Sequence, residues 1–102
     1  MKNPARRAVV VMGQGYVGLP LAMRGVAVGH RVTGFEPDRR RLAMLSAGDS
    51  YVEDVPSSEL QAALASGRYH PSCDGGAGLE GFEVAVIAVP TPLRDRRQTS
   101  PP

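Results

Sequence analysis

Residues 8–18 run Ala8-Val9-Val10-Val11-Met12-Gly13-Gln14-Gly15-Tyr16-Val17-Gly18. The first part is a continuous apolar run, rich in β-branched residues and closed by a glycine. That is the pattern of a strand buried on both faces of a parallel sheet. The second part has the spacing G-x-G-x-x-G. From Tyr16 the period changes, and Val17, Leu21, Ala22, Val26 and Val28 suit a helix packed on that sheet, with Gly29 as its stop. Pro20 falls near the start of this helix, where a missing N–H costs least. Strand, glycine turn and helix in that order make an anion site, because the first N–H groups of a helix lack acceptors and its dipole favours negative charge there. Gly13 permits the tight turn out of the strand. Gly15 lets a pyrophosphate approach the backbone, and Gly18 lets the helix pack closely on the sheet. Gly15, Tyr16 and Val17 are expected to donate backbone hydrogen bonds to the phosphates.

Working outward, Arg31-Val32-Thr33-Gly34-Phe35 reads as a second strand ending at Glu36. Pro37-Asp38 opens a second helix with Asp38 as N-cap, Leu42, Ala43 and Leu45 as its apolar face and Gly48 as its end. A polar connection follows over residues 49–56. Ser58 and Gln61 have capping-box spacing for a third helix, Ser58 to Ser66, closed by Gly67. Arg68 to Cys73 holds a short strand that Pro71 weakens or pushes to an edge. Gly75, Gly76, Gly78 and Gly81 make the next segment a poor helix, since each interior glycine costs about 1 kcal/mol relative to alanine. Val84-Ala85-Val86-Ile87-Ala88-Val89 is the clearest strand of all, running into Pro90-Thr91-Pro92. The pattern predicts an α/β fold: a Rossmann-like parallel sheet of about four strands with flanking helices and right-handed crossovers. Residues 94–102 carry no periodicity and read as a disordered tail.

Glu36 stands 18 residues after Gly18, at the end of the second strand. A carboxylate there accepts hydrogen bonds from the adenosine ribose and repels a 2′-phosphate, which favours NAD over NADP. Arg39, Arg40 and Arg41 pull the other way, since an arginine nearby can neutralise such a phosphate. The Tyr16 ring either meets the cofactor or only covers the sheet edge. Thr91 either hydrogen-bonds the cofactor or simply belongs to the turn that ends the strand.

Other function classes find little support. The 102 residues make one small domain, 42% hydrophobic and 22% charged, with a net charge of +2. The basic residues fall in short clusters broken by Asp38 and Asp95, not in the continuous stripe that nucleic acid requires. No apolar run approaches the roughly 20 residues that cross a bilayer, and the start does not resemble a secretory signal, so a cytoplasmic protein is expected. Cys73 stands alone, and His30 and His70 have no ligand spacing, so neither a disulfide nor a metal site is expected.

Val10-Val11-Met12-Gly13-Gln14-Gly15-Tyr16-Val17-Gly18-Leu19-Pro20-Leu21-Ala22 closely resembles the opening of the UDP-glucose/GDP-mannose dehydrogenase family. So do Gly34-Phe35-Glu36 with Arg41-Leu42, and Gly48-Asp49-Ser50-Tyr51-Val52-Glu53-Asp54-Val55-Pro56. Val89-Pro90-Thr91-Pro92-Leu93 is similar to the family's turn after the fourth strand, in the form of the branch acting on UDP-N-acetyl-hexosamines. The resemblance implies an enzyme that oxidises a sugar C6 alcohol to a carboxylate in two NAD-dependent steps, through a cysteine-bound thiohemiacetal. It matches Tyr16 and Val17 to the loop contacts with NAD, and Glu36 to a ribose-binding acid that is usually aspartate. It matches Arg41 to a basic residue near the adenosine, and Thr91 to a threonine on the cofactor.

In that family the nucleophilic cysteine, the catalytic lysine and the sugar site lie beyond the stretch covered here, and Cys73 does not align with the nucleophile. The first domain also continues with further strands. The resemblance therefore implies an incomplete dinucleotide-binding domain over residues 1–93: an N-terminal fragment that binds NAD, meets a UDP-sugar only in the full-length enzyme and is inactive alone. Marginal stability, or a homodimer, is expected of the isolated chain. The alternatives are a stand-alone dinucleotide-binding or sensing module, and an interaction fragment with a vestigial site.

Overall fold

The computed structural model describes residues 7–74 and 82–88. Within them the chain forms β1 (Ala8–Met12), α1 (Gly18–Ala27), β2 (Arg31–Phe35), α2 (Arg39–Ala47), α3 (Ser57–Ala65), β3 (Tyr69–Ser72) and β4 (Val84–Ile87). The strands make one sheet in the order β3-β2-β1-β4, with every pairing parallel. This is the expected α/β, Rossmann-like arrangement. The glycine-crowded stretch from Gly75 to Gly81, the strand residue Val89, Thr91 and the tail all lie outside the described residues.

The register sorts the side chains. Val9 is level with Val32, Val11 with Gly34 and Val86, and Val32 with Tyr69, and side chains alternate along each strand. Val9, Val11, Val32, Val86 and Tyr69 therefore share one face and pack with the helices in a single cluster. Val10, Met12, Thr33, Phe35 and Ile87 point to the other. Val10 and Val11 are each 1% exposed, as a strand covered on both faces should be.

The contact face of α1 is Leu19, Ala22, Met23 and Val26, at spacings of three and four. Val17, Leu21 and Val28, which the sequence pattern assigned to that face, are exposed. Val17 and Val28 are the cap residues just outside the helix, and Leu21 projects from the face opposite Leu19, Ala22, Met23 and Val26. In α2, Asp38 caps as expected, its Oδ1 accepting from the N–H groups of Arg40 at 2.9 Å and Arg41 at 3.3 Å. Leu45 is buried there, but Ala43 faces solvent.

The Ser58–Gln61 capping box does not form. Pro56 occupies the N-cap of α3 and Ser58 lies inside the helix. Gln61 donates instead to the Gly48 carbonyl at 3.2 Å, while Ser57 Oγ accepts from the Ser50 N–H at 3.0 Å. These two bonds fasten the 48–57 connection to α3. Val52 and Val55, 3% and 2% exposed, fasten it to the core.

Candidate dinucleotide site

β1 ends in a turn held from several sides. The Gly13 N–H donates to the Phe35 carbonyl at 2.8 Å, and Gly13 has φ 97°, a left-handed value that a residue with a Cβ rarely adopts. Gln14 follows and is fully buried. Its N–H donates to Glu36 Oε1 at 3.0 Å, and its carbonyl accepts from the Tyr51 hydroxyl at 2.6 Å. Its side-chain Nε2 donates to the carbonyls of Val11 at 3.1 Å and Gly13 at 3.0 Å, and its Oε1 accepts from the Tyr69 hydroxyl at 2.6 Å. Each polar group of this residue has a partner, as a buried amide requires.

Gly34, beneath it in β2, supplies the room. A Cβ there would stand 2.6 Å from Gln14 Cδ and 2.7 Å from the Tyr69 hydroxyl. Tyr69→Phe leaves Gln14 Oε1 buried without a donor, so a loss of about 1–3 kcal/mol is expected in urea unfolding. A wild-type midpoint for that variant would show that water replaces the hydroxyl.

Above this plug lies a cleft of about 550 Å³, lined by Gly13, Gly15, Tyr16, Val17, Glu36 and Arg41 among others. Six of the residues singled out from sequence are thus brought together. Gly18 belongs to the scaffold behind them: it is buried, and a Cβ on it would run into the Gly13 carbonyl oxygen. Thr91 lies outside the described residues. Of the three arginines Arg39, Arg40 and Arg41, only Arg41 lines this cleft.

Three features suit the cleft to a dinucleotide. Among the described residues no acceptor meets the N–H groups of Gly15, Tyr16 or Val17, at the entry to α1. A Cβ on Gly15 would meet only Arg41 Nη1, at 3.6 Å, so the protein's own packing does not require glycine there. Glu36, 4% exposed, is held by two amides, Gln14 N–H on Oε1 and Asp38 N–H on Oε2, each at 3.0 Å. Each oxygen keeps a further lone pair for a ribose hydroxyl.

Tyr51 and Tyr69 close the back of the site, and neither stood out in the sequence reading as a site residue. Burial, helped by the Glu36 carboxylate, pushes the Tyr51 hydroxyl up from 10.0 to about 12, with Arg41 opposing and Asp38 adding to the rise. Burial raises Tyr69 further. Both therefore remain donors at neutral pH. The unfolded chain loses these protons near 10 while the folded one keeps them, so stability is intact below pH 10 and falls as pH rises from there towards about 12. Urea midpoints measured from pH 8.5 to 11.5 should decline, and less steeply in Tyr69→Phe. An equal slope in that variant would rule out the phenol as the cause.

A family model for the UDP-glucose/GDP-mannose dehydrogenase family, NAD binding domain, matches residues 7–100. The chain belongs to this family. NAD, the cofactor expected from Glu36, is the one that the matched domain binds. Among curated relatives, the UDP-N-acetyl-D-glucosamine 6-dehydrogenase of Pseudomonas aeruginosa is 33% identical over 90 residues, covering 88% of this chain and 20% of that protein. The GDP-mannose 6-dehydrogenase of Pseudomonas putida is 31% identical, covering 84% of this chain and 20% of the relative. The chain thus spans about one fifth of the length of these relatives. Among solved structures, the GDP-mannose dehydrogenase of Pseudomonas aeruginosa superposes with a TM-score of 0.75 at 28% identity, over 82% of this chain and 20% of the other. Family members matched here are named for UDP-N-acetyl-hexosamines, GDP-mannose and UDP-glucose alike.

Proposed function

We propose that the chain supplies the NAD half-site of a nucleotide-sugar 6-dehydrogenase, an enzyme that oxidises the C6 alcohol of a UDP-sugar to the carboxylate. Gly13, Gly15, Tyr16 and Val17 receive the pyrophosphate, on the platform that Gly18 allows. Glu36 takes the adenosine ribose, Arg41 adds positive charge between the ribose and the pyrophosphate, and Thr91 contacts the cofactor after β4. The observation that carries this reading is Gly15, whose missing side chain faces the cleft beside unpaired amides and serves no packing purpose.

When bound, NAD supplies a hydride acceptor. The residues of this chain bind it, orient it and exclude its 2′-phosphorylated form. The nucleophile and the sugar contacts are not assigned to this chain, and Cys73, exposed just after β3, lines no part of the cleft. The substrate and its use in polysaccharide biosynthesis are part of the proposal, as is a cytoplasmic setting. Among the described residues no helix is long and apolar enough to cross a membrane.

Calorimetric titration tests the reading directly. NAD is expected to bind, and NADP to bind at least about tenfold more weakly, because a 2′-phosphate would face the Glu36 carboxylate. Tighter binding of NADP would overturn the role of Glu36. A folded sample that takes up neither nucleotide would overturn the assignment of the cleft.

A further inference from the structure

The motif Gly48 to Pro56 is left without a task by the cofactor contacts, yet one of its residues reaches the centre of the site. Tyr51 sits on a connection pinned at both sides. Ser50 Oγ both donates to the Val52 carbonyl and accepts from its N–H, each at 3.1 Å, and Val52 is buried in the core. From this support the Tyr51 hydroxyl reaches 37 residues back along the chain to the Gln14 carbonyl. The peptide between Gln14 and Gly15 is planar and trans, so its C=O and N–H point in opposite directions. A donor fixed on the Gln14 oxygen therefore aims the Gly15 N–H away from Tyr51, and that N–H is one of the unpaired donors of the loop.

The ring has a second contact. The Arg41 guanidinium carbon lies 5.1 Å from its centroid, within cation–π range. Arg41 also lies alongside Gly15, 3.6 Å from where a Cβ would be. It lines both the cofactor cleft and a smaller hollow on the Tyr51 side, shared with Gly15 and Tyr16. One aromatic residue thus touches both the peptide and the cation that flank the phosphate position.

We propose that Tyr51 is a positioning residue for the cofactor, its hydroxyl aiming the Gly15 N–H and its ring holding Arg41 beside the pyrophosphate. This rests on the NAD reading of the cleft. Tyr51→Phe keeps the ring and loses the hydroxyl, whereas Tyr51→Leu loses both.

The test is titration of NAD into the wild-type chain, both Tyr51 variants and Arg41→Ala in each background, with urea midpoints on every sample. Tyr51→Phe is expected to weaken NAD binding about fivefold, the range of one hydrogen bond. Arg41→Ala should cost about tenfold in the wild-type and Tyr51→Phe backgrounds, and less than about twofold in Tyr51→Leu, where Arg41 has already lost its seat. A merely structural tyrosine would lower the midpoints but leave the Arg41→Ala penalty equal in all three backgrounds, and that result overturns the proposal. Should Tyr51→Leu not fold, unchanged NAD affinity in Tyr51→Phe overturns it alone. A folded wild type that binds no NAD defeats both this inference and the cofactor reading, whereas binding without coupling defeats only this one.

Discussion

Gly18→Ala is expected to remove a large part of the domain's stability, although the same exchange at an ordinary helical position stabilises by about 0.5–1 kcal/mol. The added methyl would stand 2.7 Å from the Gly13 carbonyl carbon and 3.3 Å from Ala88 Cβ, with the Gly13 oxygen nearer still. That carbonyl cannot swing away. Its oxygen accepts from Gln14 Nε2, and the Gly13 N–H is tied to β2. Relief requires α1 to lift off the sheet and surrender the packing of Leu19, Ala22 and Met23. The cost is therefore at least the roughly 3 kcal/mol of severe overpacking. A domain of this size holds about 5–15 kcal/mol in total. Gly67→Ala is the control: φ is 78° with nothing within 4 Å of the new methyl, so the loss is the backbone term alone, about 1–2 kcal/mol. Circular dichroism in a urea series distinguishes the two, and a wild-type midpoint for Gly18→Ala would refute the close contact.

Gly15→Val is the second large effect, and it separates binding from folding. The position has room for a side chain and does not have a left-handed backbone. The unfolding free energy from a urea series should stay within about 0.5 kcal/mol of wild type, as for a surface exchange. NAD affinity should fall at least about a hundredfold, because the branched side chain fills the space through which the pyrophosphate meets the free amides. Unchanged affinity in a folded Gly15→Val protein would remove the loop from the binding site.

The contrast between these glycines marks what could be read without coordinates. Strand, turn and helix order, the Asp38 cap, the edge placement of β3 and the cleft around Glu36 all follow from local pattern, because short-range geometry fixes them. The phase of α1 did not, since Val17, Leu21 and Val28 are as apolar as the residues that are buried, and apolarity alone does not say which of them face the sheet. The Ser58–Gln61 box failed for a tertiary reason, as Gln61 and Ser57 are engaged by residues 48 and 50. Gln14, Tyr51 and Tyr69 went unread as a unit because their bonds span 37 and 55 residues. A buried glutamine in the variable slot of a glycine turn was the one local hint that something polar must lie beneath it.

Pro71 in β3 has a consequence at the rim of the sheet. The carbonyls of Arg68 and Ser72 point inward, accepting from the N–H groups of Val32 and Glu36. Alternation along the strand then turns the backbone of residue 71 outward, where proline offers no N–H. An incoming chain meets a gap in the middle of a strand only four residues long. Of the two rims of the described sheet, the β3 rim is therefore the poorer template for a further strand, since Val84–Ile87 at the β4 rim include no proline.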